Sequence, residues 1–563
     1  MAVGKKIVLW RGGTKWPLIL STLLCSLLEL AGLAVLMPLL IAILEKDSLI
    51  NNKYLSFLYS SGGFTSHISF LIATGLTILI IITIKNVFLH YLNNYKTRRL
   101  LKLYAHHSMT LFNDYYNSGL PFIKERGTTD LSHNVNAVTY SYVFGVLNPV
   151  LCIVGEVILA TLIFVSLCFV DIYIALFEII LFIPIILFYH FKMSSILKRA
   201  GNADNKAKKN QWQLTMETFR GYPDIEINNS FEQIKNNFDK GIDTISQNKI
   251  VLENIKSLSS RSLETGVVFV LVIVMIASFM IDSPLFIGIL AATSLKLIPS
   301  VKSVMNHLSS IRNNQFTLEI IPDNISQISA KNMSENSATN FSHFNSLEVK
   351  DLTFSYCEEG EDKEIIRNLD IVIKRGEKIG IKGISGSGKS TLFYLLLGLY
   401  APKSGTIKIN GIELSRQNRK EWHKKVGYVS QDVFIMNGTI IDNIILNYEH
   451  NENNGNIELN RAIEYASLDK LIERLPLGLL SQMGESGSRL SGGERQRIAI
   501  ARALYKKAEV LMLDEATSAL DSSTEADILR ILENPELTGY ATAIIISHRE
   551  SILSKCDRVI TIS

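Results

Sequence analysis

Gly383-Ile384-Ser385-Gly386-Ser387-Gly388-Lys389-Ser390-Thr391 decides the reading of this chain. It has the spacing G-x-x-x-x-G-K-S, and each residue type answers to one task. Glycines let backbone N–H groups curl around a polyphosphate, where side chains would block the approach. Lys389 brings a positive point charge to the β- and γ-phosphates, and the Ser390 hydroxyl is a candidate ligand for Mg²⁺. The β-rich run Lys378-Ile379-Gly380-Ile381-Lys382 precedes the loop, and an apolar helical run, 392–399, follows it. The helix N-terminus adds its partial positive charge. Gly383, Ser385, Gly386, Ser387, Gly388, Lys389, Ser390 and Thr391 are therefore the candidate phosphate contacts.

Around this loop, the apolar residues are unevenly distributed. The chain has 563 residues, 47% of them hydrophobic, too many for one core. Mean hydropathy is +0.21, high for a soluble protein. The long apolar runs lie before about residue 300 and the glycine-rich motifs after about 350. A net charge of +4 calls for no nucleic-acid partner and suits cytoplasmic loops facing anionic lipid. The five cysteines, Cys25, Cys152, Cys168, Cys357 and Cys556, are scattered and show no C-x-x-C spacing. Neither a disulfide framework nor a zinc site is expected.

Taken in order, the chain reads as six membrane spans, at about 17–44, 68–89, 144–167, 172–191, 266–281 and 284–299. The first run is too long for a signal-peptide core, and no small-residue cleavage site follows it. Lys5, Lys6, Arg11 and Lys15 flank it and place the N-terminus in the cytoplasm. Two long polar excursions follow, from 90 to about 137 and from 192 to about 264, both basic next to the membrane. They read as helical extensions of the spans, the first turning near Gly127. With both ends inside, the layout satisfies the positive-inside rule. Residues 1–321 are thus expected to form a membrane α-helical domain, and the Asn- and Ser-rich stretch 322–345 a linker. Residues 346–563, where short β-type runs alternate with helical ones, are expected to form an α/β phosphate-loop domain.

Two further stretches of that domain carry chemistry. Val510-Leu511-Met512-Leu513-Asp514-Glu515 is a buried-strand pattern ending in two acids. Asp514 is expected to hold Mg²⁺ chiefly through water, and Glu515 to orient and polarise the attacking water. Leu490-Ser491-Gly492-Gly493-Glu494 stands before an apolar helix pattern. Ser491, Gly492, Gly493 and the exposed N–H groups there make a second anion site.

These stretches together resemble the nucleotide-binding domain of ATP-binding-cassette (ABC) transporters, with L-S-G-G-[QE] as the family signature. The resemblance implies ATP and Mg²⁺ as ligands, and a signature that closes on the γ-phosphate held by a second subunit. Tyr356 matches the aromatic that stacks on adenine. Gln431 matches the glutamine that senses Mg²⁺ and the γ-phosphate, and His548 the switch histidine. Glu485 matches an exporter loop that meets the membrane domain, and Ser518-Ala519-Leu520-Asp521 the loop joining two subunits. Catalysis is assigned to Glu515, His548 and Gln431, and metal contact to Ser390, Gln431 and Asp514. Six spans with one cassette resemble a half-size exporter working by alternating access as a homodimer. Segments near 127–136 and 217–225 match the family's coupling helices. Two features depart from the pattern. The signature ends in Glu494, where Gln is commoner, and the chain stops at Ser563 without the usual helical tail.

Glu29, Glu156 and Glu178 fall within apolar runs, where an ionisable group is expensive and functional by default. The first span, with Ser26-Leu27-Leu28-Glu29-Leu30-Ala31-Gly32 and Leu36-Met37-Pro38, is similar to that of bacterial flippases for lipid-linked oligosaccharides. Glu29 is the substrate-site candidate. The expectation is an ATP-driven flippase in the bacterial cytoplasmic membrane. Alternatives are an exporter of peptides or amphipathic drugs and a membrane-tethered regulatory ATPase. No peptidase-like segment is read ahead of the first span, which weighs against leader-cleaving peptide exporters.

Overall fold

The computed structural model describes residues 15–36, 57, 59, 64, 66–170, 172–281, 284–321, 341, 343–358, 361–446, 457–515 and 540–562. The chain divides into two compact units, Met1–Asn332 and Met333–Ser563.

The first unit is helical. Its long helices are α1 (Lys15–Ala34), α2 (His67–Ser118), α3 (Asn148–Val170), α4 (Ile172–Arg220), α5 (Phe231–Ile281) and α6 (Pro284–Asn313). Among the described residues, three helices are long and apolar enough to cross a membrane, at Trp16–Ala34, Ile68–Ser118 and Thr128–Phe169. The stretches 172–191, 266–281 and 284–299 lie on α4, α5 and α6. The last part of the first expected span, beyond residue 36, lies outside the described residues.

Glycine breaks shape the polar excursions. After α2 the chain turns at Gly119 (φ +89) and again at Gly127 (φ +77), with the short helices Leu120–Arg126 and Thr128–His133 between and after. Only glycine takes such φ values without strain. Two π-helical turns, Asn134–Val138 and Val143–Leu147, then lead into α3. The second excursion breaks at Gly221, after which Pro223 opens the helix Tyr222–Ile227. Small residues let α1 and α3 approach closely: Ser26 Oγ donates to Gly155 O at 2.8 Å, and a Cβ on Gly155 would fall 2.8 Å from Thr22. A buried cluster of Leu18, Leu100, Leu103, Tyr142, Val146 and Leu318 packs α1, α2, the π-helical region and the end of the unit together.

The second unit contains two sheets. An antiparallel one has order β2-β1-β4-β5, with β1 Ser346–Glu358, β2 Glu361–Lys374, β4 Ser404–Ile409 and β5 Ile412–Glu413. A parallel one has order β6-β7-β8-β3-β9, with β3 Lys378–Gly383, β6 Val426–Val429, β7 Val510–Asp514, β8 Thr542–Ile546 and β9 Arg558–Ile562. Of the inner strands, β7 and β8 are nearly continuous apolar runs, as a sheet covered on both faces requires, while β3 carries Lys378 and Lys382 around a buried centre. Every residue of β7 and β8 is buried. Within the stretch read as linker, Phe341 and Phe344 are buried, and the Phe344 ring lies tilted against Trp422 with centroids 5.8 Å apart.

Candidate nucleotide site

In a parallel sheet, the loops leaving the carboxyl ends of the strands gather at one edge, where ligands bind. Here β3, β8, β7 and β6 are consecutive neighbours, with Ile381 beside Ile546, Asp514 beside Ile546, and Val429 beside Leu513. The residues just past these ends are the phosphate loop, His548, Glu515 and Gln431. Four separate stretches of sequence thereby reach one place.

The loop has the shape its glycines imply. Gly386 and Gly388 have φ +84 and +88, and Gly388 is the N-cap of α7 (Lys389–Leu396). A Cβ on Gly383 would fall 2.4 Å from the Ile562 carbonyl oxygen, and one on Gly388 2.4 Å from Ile365. Lys389 is buried, and its ammonium donates to the carbonyls of Gly383 (3.0 Å) and Ile384 (2.9 Å). Ser387 Oγ is buried without a partner among the described residues. A cradle no side chain can enter, a buried ammonium and a spare hydroxyl fit a polyphosphate.

The acids sit beside it. Ser390 Oγ donates to Asp514 Oδ1 at 3.2 Å. Burial pushes the Asp514 carboxyl above its ordinary value, and the neighbouring Glu515 charge adds to this against the Ser390 hydrogen bond. Hydroxyl and carboxylate converge as a cation requires. Gln431 Nε2 donates to Glu515 Oε2 at 2.8 Å, and His548 Nε2 lies 3.2 Å from Glu515 Oε1. One carboxylate is thus held from both sides.

Tyr356 comes to the same place: its hydroxyl lies 2.9 Å from Thr391 Oγ1. Its ring meets Phe354 and Tyr400 edge-on at 5.0 and 5.8 Å. The signature forms a separate feature. Ser491 caps α8 (Gly492–Tyr505), with Gly492 and Gly493 in its first turn. Glu494 closes a capping box, since Ser491 N donates to its carboxylate at 2.8 Å and Glu494 N donates to Ser491 Oγ at 3.2 Å. Its other oxygen pairs with Arg474 at 2.7 Å. The residue that departs from the commoner Gln therefore makes an ion pair that an amide would not. Glu485 opens a short 3₁₀ turn just upstream. Ser518-Ala519-Leu520-Asp521 lies outside the described residues.

In the helical unit, Glu29 pairs with Lys85 at 3.3 Å and with Lys296. A Cβ on Gly32 would fall 2.8 Å from Lys85 Nζ, so glycine at that position makes room for the lysine. Ser300 Oγ donates to Glu156 Oε2 at 2.6 Å. Sequence reading had named the two acids but not Lys85 or Lys296, although both stand within expected spans. The Glu178 side chain lies outside what the structure describes.

Residues 366–518 match the ABC transporter family. The chain carries an ABC transporter domain, an ATP-binding module, and with the helical unit before it has the fold of an ABC exporter. A solved bacterial Atm1-family ABC exporter with ATP bound superposes with a TM-score of 0.82 at 21% identity, over 97% of this chain and 94% of that one. The lactococcin-A transport/processing ATP-binding protein of Lactococcus lactis subsp. lactis is 40% identical over 221 residues, 39% of this chain and 30% of the relative. The ATP-dependent lipid A-core flippase of Ralstonia nicotianae is 38% identical over 216 residues, 38% of this chain and 36% of the relative. A probable ABC transporter ATP-binding/permease protein of Haemophilus influenzae is 41% identical over 226 residues, 40% of this chain and 39% of the relative. The chain spans between 30% and 39% of the length of these curated relatives.

Proposed function

We propose that this protein is a half-size exporter that couples ATP hydrolysis to movement of a lipid-linked oligosaccharide or related amphipathic lipid across the bacterial cytoplasmic membrane. Six spans carry the movement, and two copies of the chain form the working unit. The observation that carries the hydrolytic part is the Glu515 carboxylate, held between Gln431 and His548 beside Asp514, Ser390 and the phosphate loop.

Each residue has a distinct task. The loop N–H groups and Lys389 bind the phosphates, and Tyr356 presents its ring to the base. Ser390 and Asp514 hold Mg²⁺ with help from Gln431. Mg²⁺ supplies charge neutralisation on the phosphate oxygens. Glu515 accepts a hydrogen bond from the attacking water and aims it, while Gln431 and His548 fix the carboxylate. Ser491, Gly492 and Gly493 offer their anion site to the nucleotide held by the partner copy, which makes the active unit a homodimer.

For the cargo, the support lies in the helical unit. Glu29, Lys85 and Lys296 bring three charges together on apolar helices. Each costs a few kcal/mol there unless paired or wet. Two cations against one acid suit an amphiphile with a polar, anionic head, and the similarity to named lipid A-core flippases points the same way. A second reading, export of a peptide, takes its support from the lactococcin relative.

The test is ATPase rate in proteoliposomes. Stimulation by lipid-linked oligosaccharide, and none by peptides or amphipathic drugs, is the expected result. Stimulation by peptides or drugs alone overturns the lipid reading.

A further inference from the structure

Glu494 sets two demands against each other at the signature. Its Oε2 accepts from Ser491 N, and its own N–H donates to Ser491 Oγ. The N–H groups of Gly492 and Gly493, in the same first turn of α8, lie outside this box. The Ser491 hydroxyl keeps its proton for a ligand, since a hydroxyl accepts and donates at once. A carboxylate in the first turn stabilises the helix. It also puts a negative charge within one turn of the groups that would take a phosphate, and repels the anion they attract. Arg474 meets the second demand: its guanidinium donates to Glu494 Oε1, the oxygen the box does not use, at 2.7 Å. The arginine is 60% exposed and the carboxylate 19%, so little of the fold's stability depends on the pair. Arg474 ends the short helix Asp469–Arg474. Leu471 of that helix is buried in the cassette core, and Ile472 and Leu475 pack against the same cluster. An anchored element 20 residues ahead of Glu494 thus delivers the cation.

We propose that Arg474 is a positioning residue for ATP-driven closure: by cancelling the Glu494 charge, it lets the signature of one copy accept the γ-phosphate of ATP held by the other. This rests on the two-copy reading given above. Without the arginine, the carboxylate stands unpaired beside the incoming phosphate. Closure is then weakened while ATP still binds its own loop, because Lys389 and the loop N–H groups are untouched.

The experiment measures turnover against ATP concentration for the full-length protein in nanodiscs, with ATP binding in the absence of Mg²⁺ measured on the same samples. Arg474→Ala is expected to raise the KM for ATP about fivefold, with kcat changed less and ATP binding retained. Arg474→Lys, which keeps the charge, is expected to recover most of the loss. In Glu494→Gln there is no charge to cancel, and adding Arg474→Ala is expected to change KM by less than about twofold. An unchanged KM in Arg474→Ala overturns the proposal. So does an increase of the same size in the Glu494→Gln background, or loss of ATP binding, either of which makes the arginine merely structural. Ser491→Arg, which blocks the signature, tests the reading beneath and is expected to abolish turnover while ATP still binds. Turnover that survives it overturns the two-copy reading itself.

Discussion

Glu515 adopts φ +47 at the end of β7, a left-handed conformation that costs a non-glycine residue about 1–3 kcal/mol. Its N–H donates to the Ile546 carbonyl at 3.0 Å, so the neighbouring strand sustains the strain. The turn directs the carboxylate to Gln431 and His548. Next to it, Asp514 is 2% exposed. Its raised pKa means that the folded chain binds a proton more readily than the unfolded one. Stability therefore falls as pH rises from the ordinary value of 3.8 through the folded-state pKa. Asp514→Asn removes that penalty. The variant is expected to unfold no lower than wild type at neutral pH without nucleotide, the difference closing as pH falls toward 3.8. Its ATPase rate is expected to drop by about two orders of magnitude. Thermal unfolding across pH and a phosphate-release assay check both, and a lower transition at neutral pH would contradict the burial argument. At this scale the sequence was informative, since loop, acids, glutamine and histidine each stand at a strand end that an apolar run announces. The grip of Gln431 and His548 on one carboxylate was not legible, because it depends on strand order.

Among the elements, Glu509 shows how the parallel sheet is anchored. It accepts from Lys425 Nζ at 2.7 Å, just before β6, and from Phe344 N at 2.8 Å, ahead of β1. Burial alone would raise its pKa, but these partners and His343 outweigh it and hold the carboxyl below its ordinary value. A depressed carboxyl stabilises the fold above the unfolded value of 4.5 and loses that contribution as pH falls through the folded value. Glu509→Gln should cost about 1–3 kcal/mol at neutral pH and less in acid, as read by thermal unfolding of the full chain. A cost independent of pH would show that the charge is not what matters. The strands were readable as apolar runs and the elbow at Gly127 as a break. The π-helical turns were not readable. Tyr142 lies between the two turns and Val146 within the second, and both belong to the buried cluster.

In the molecule as a whole, the composition changes between about residues 300 and 350, and the chain divides into its two compact units after Asn332. The ion cluster in the helical unit was harder to see. Glu29 finds its partners 56 and 267 residues away, on helices whose neighbours only the fold decides. Lysines inside two expected spans were the available signal, for a cation at that depth needs an acid or a ligand. The same fold separates the phosphate loop from the capped signature helix along the chain. The proposal that two copies act together rests on the signature's match to the family pattern, and Glu515 is the residue on which the proposed turnover depends.

The most direct measurement is ATP turnover by the full-length protein in lipid, wild type against Glu515→Gln, with retained nucleotide quantified in the same samples. The account predicts turnover lower by about two orders of magnitude or more, with intact ATP held by the variant, since Lys389 and Asp514 remain. Near-normal turnover in Glu515→Gln, or loss of ATP binding along with activity, would contradict it.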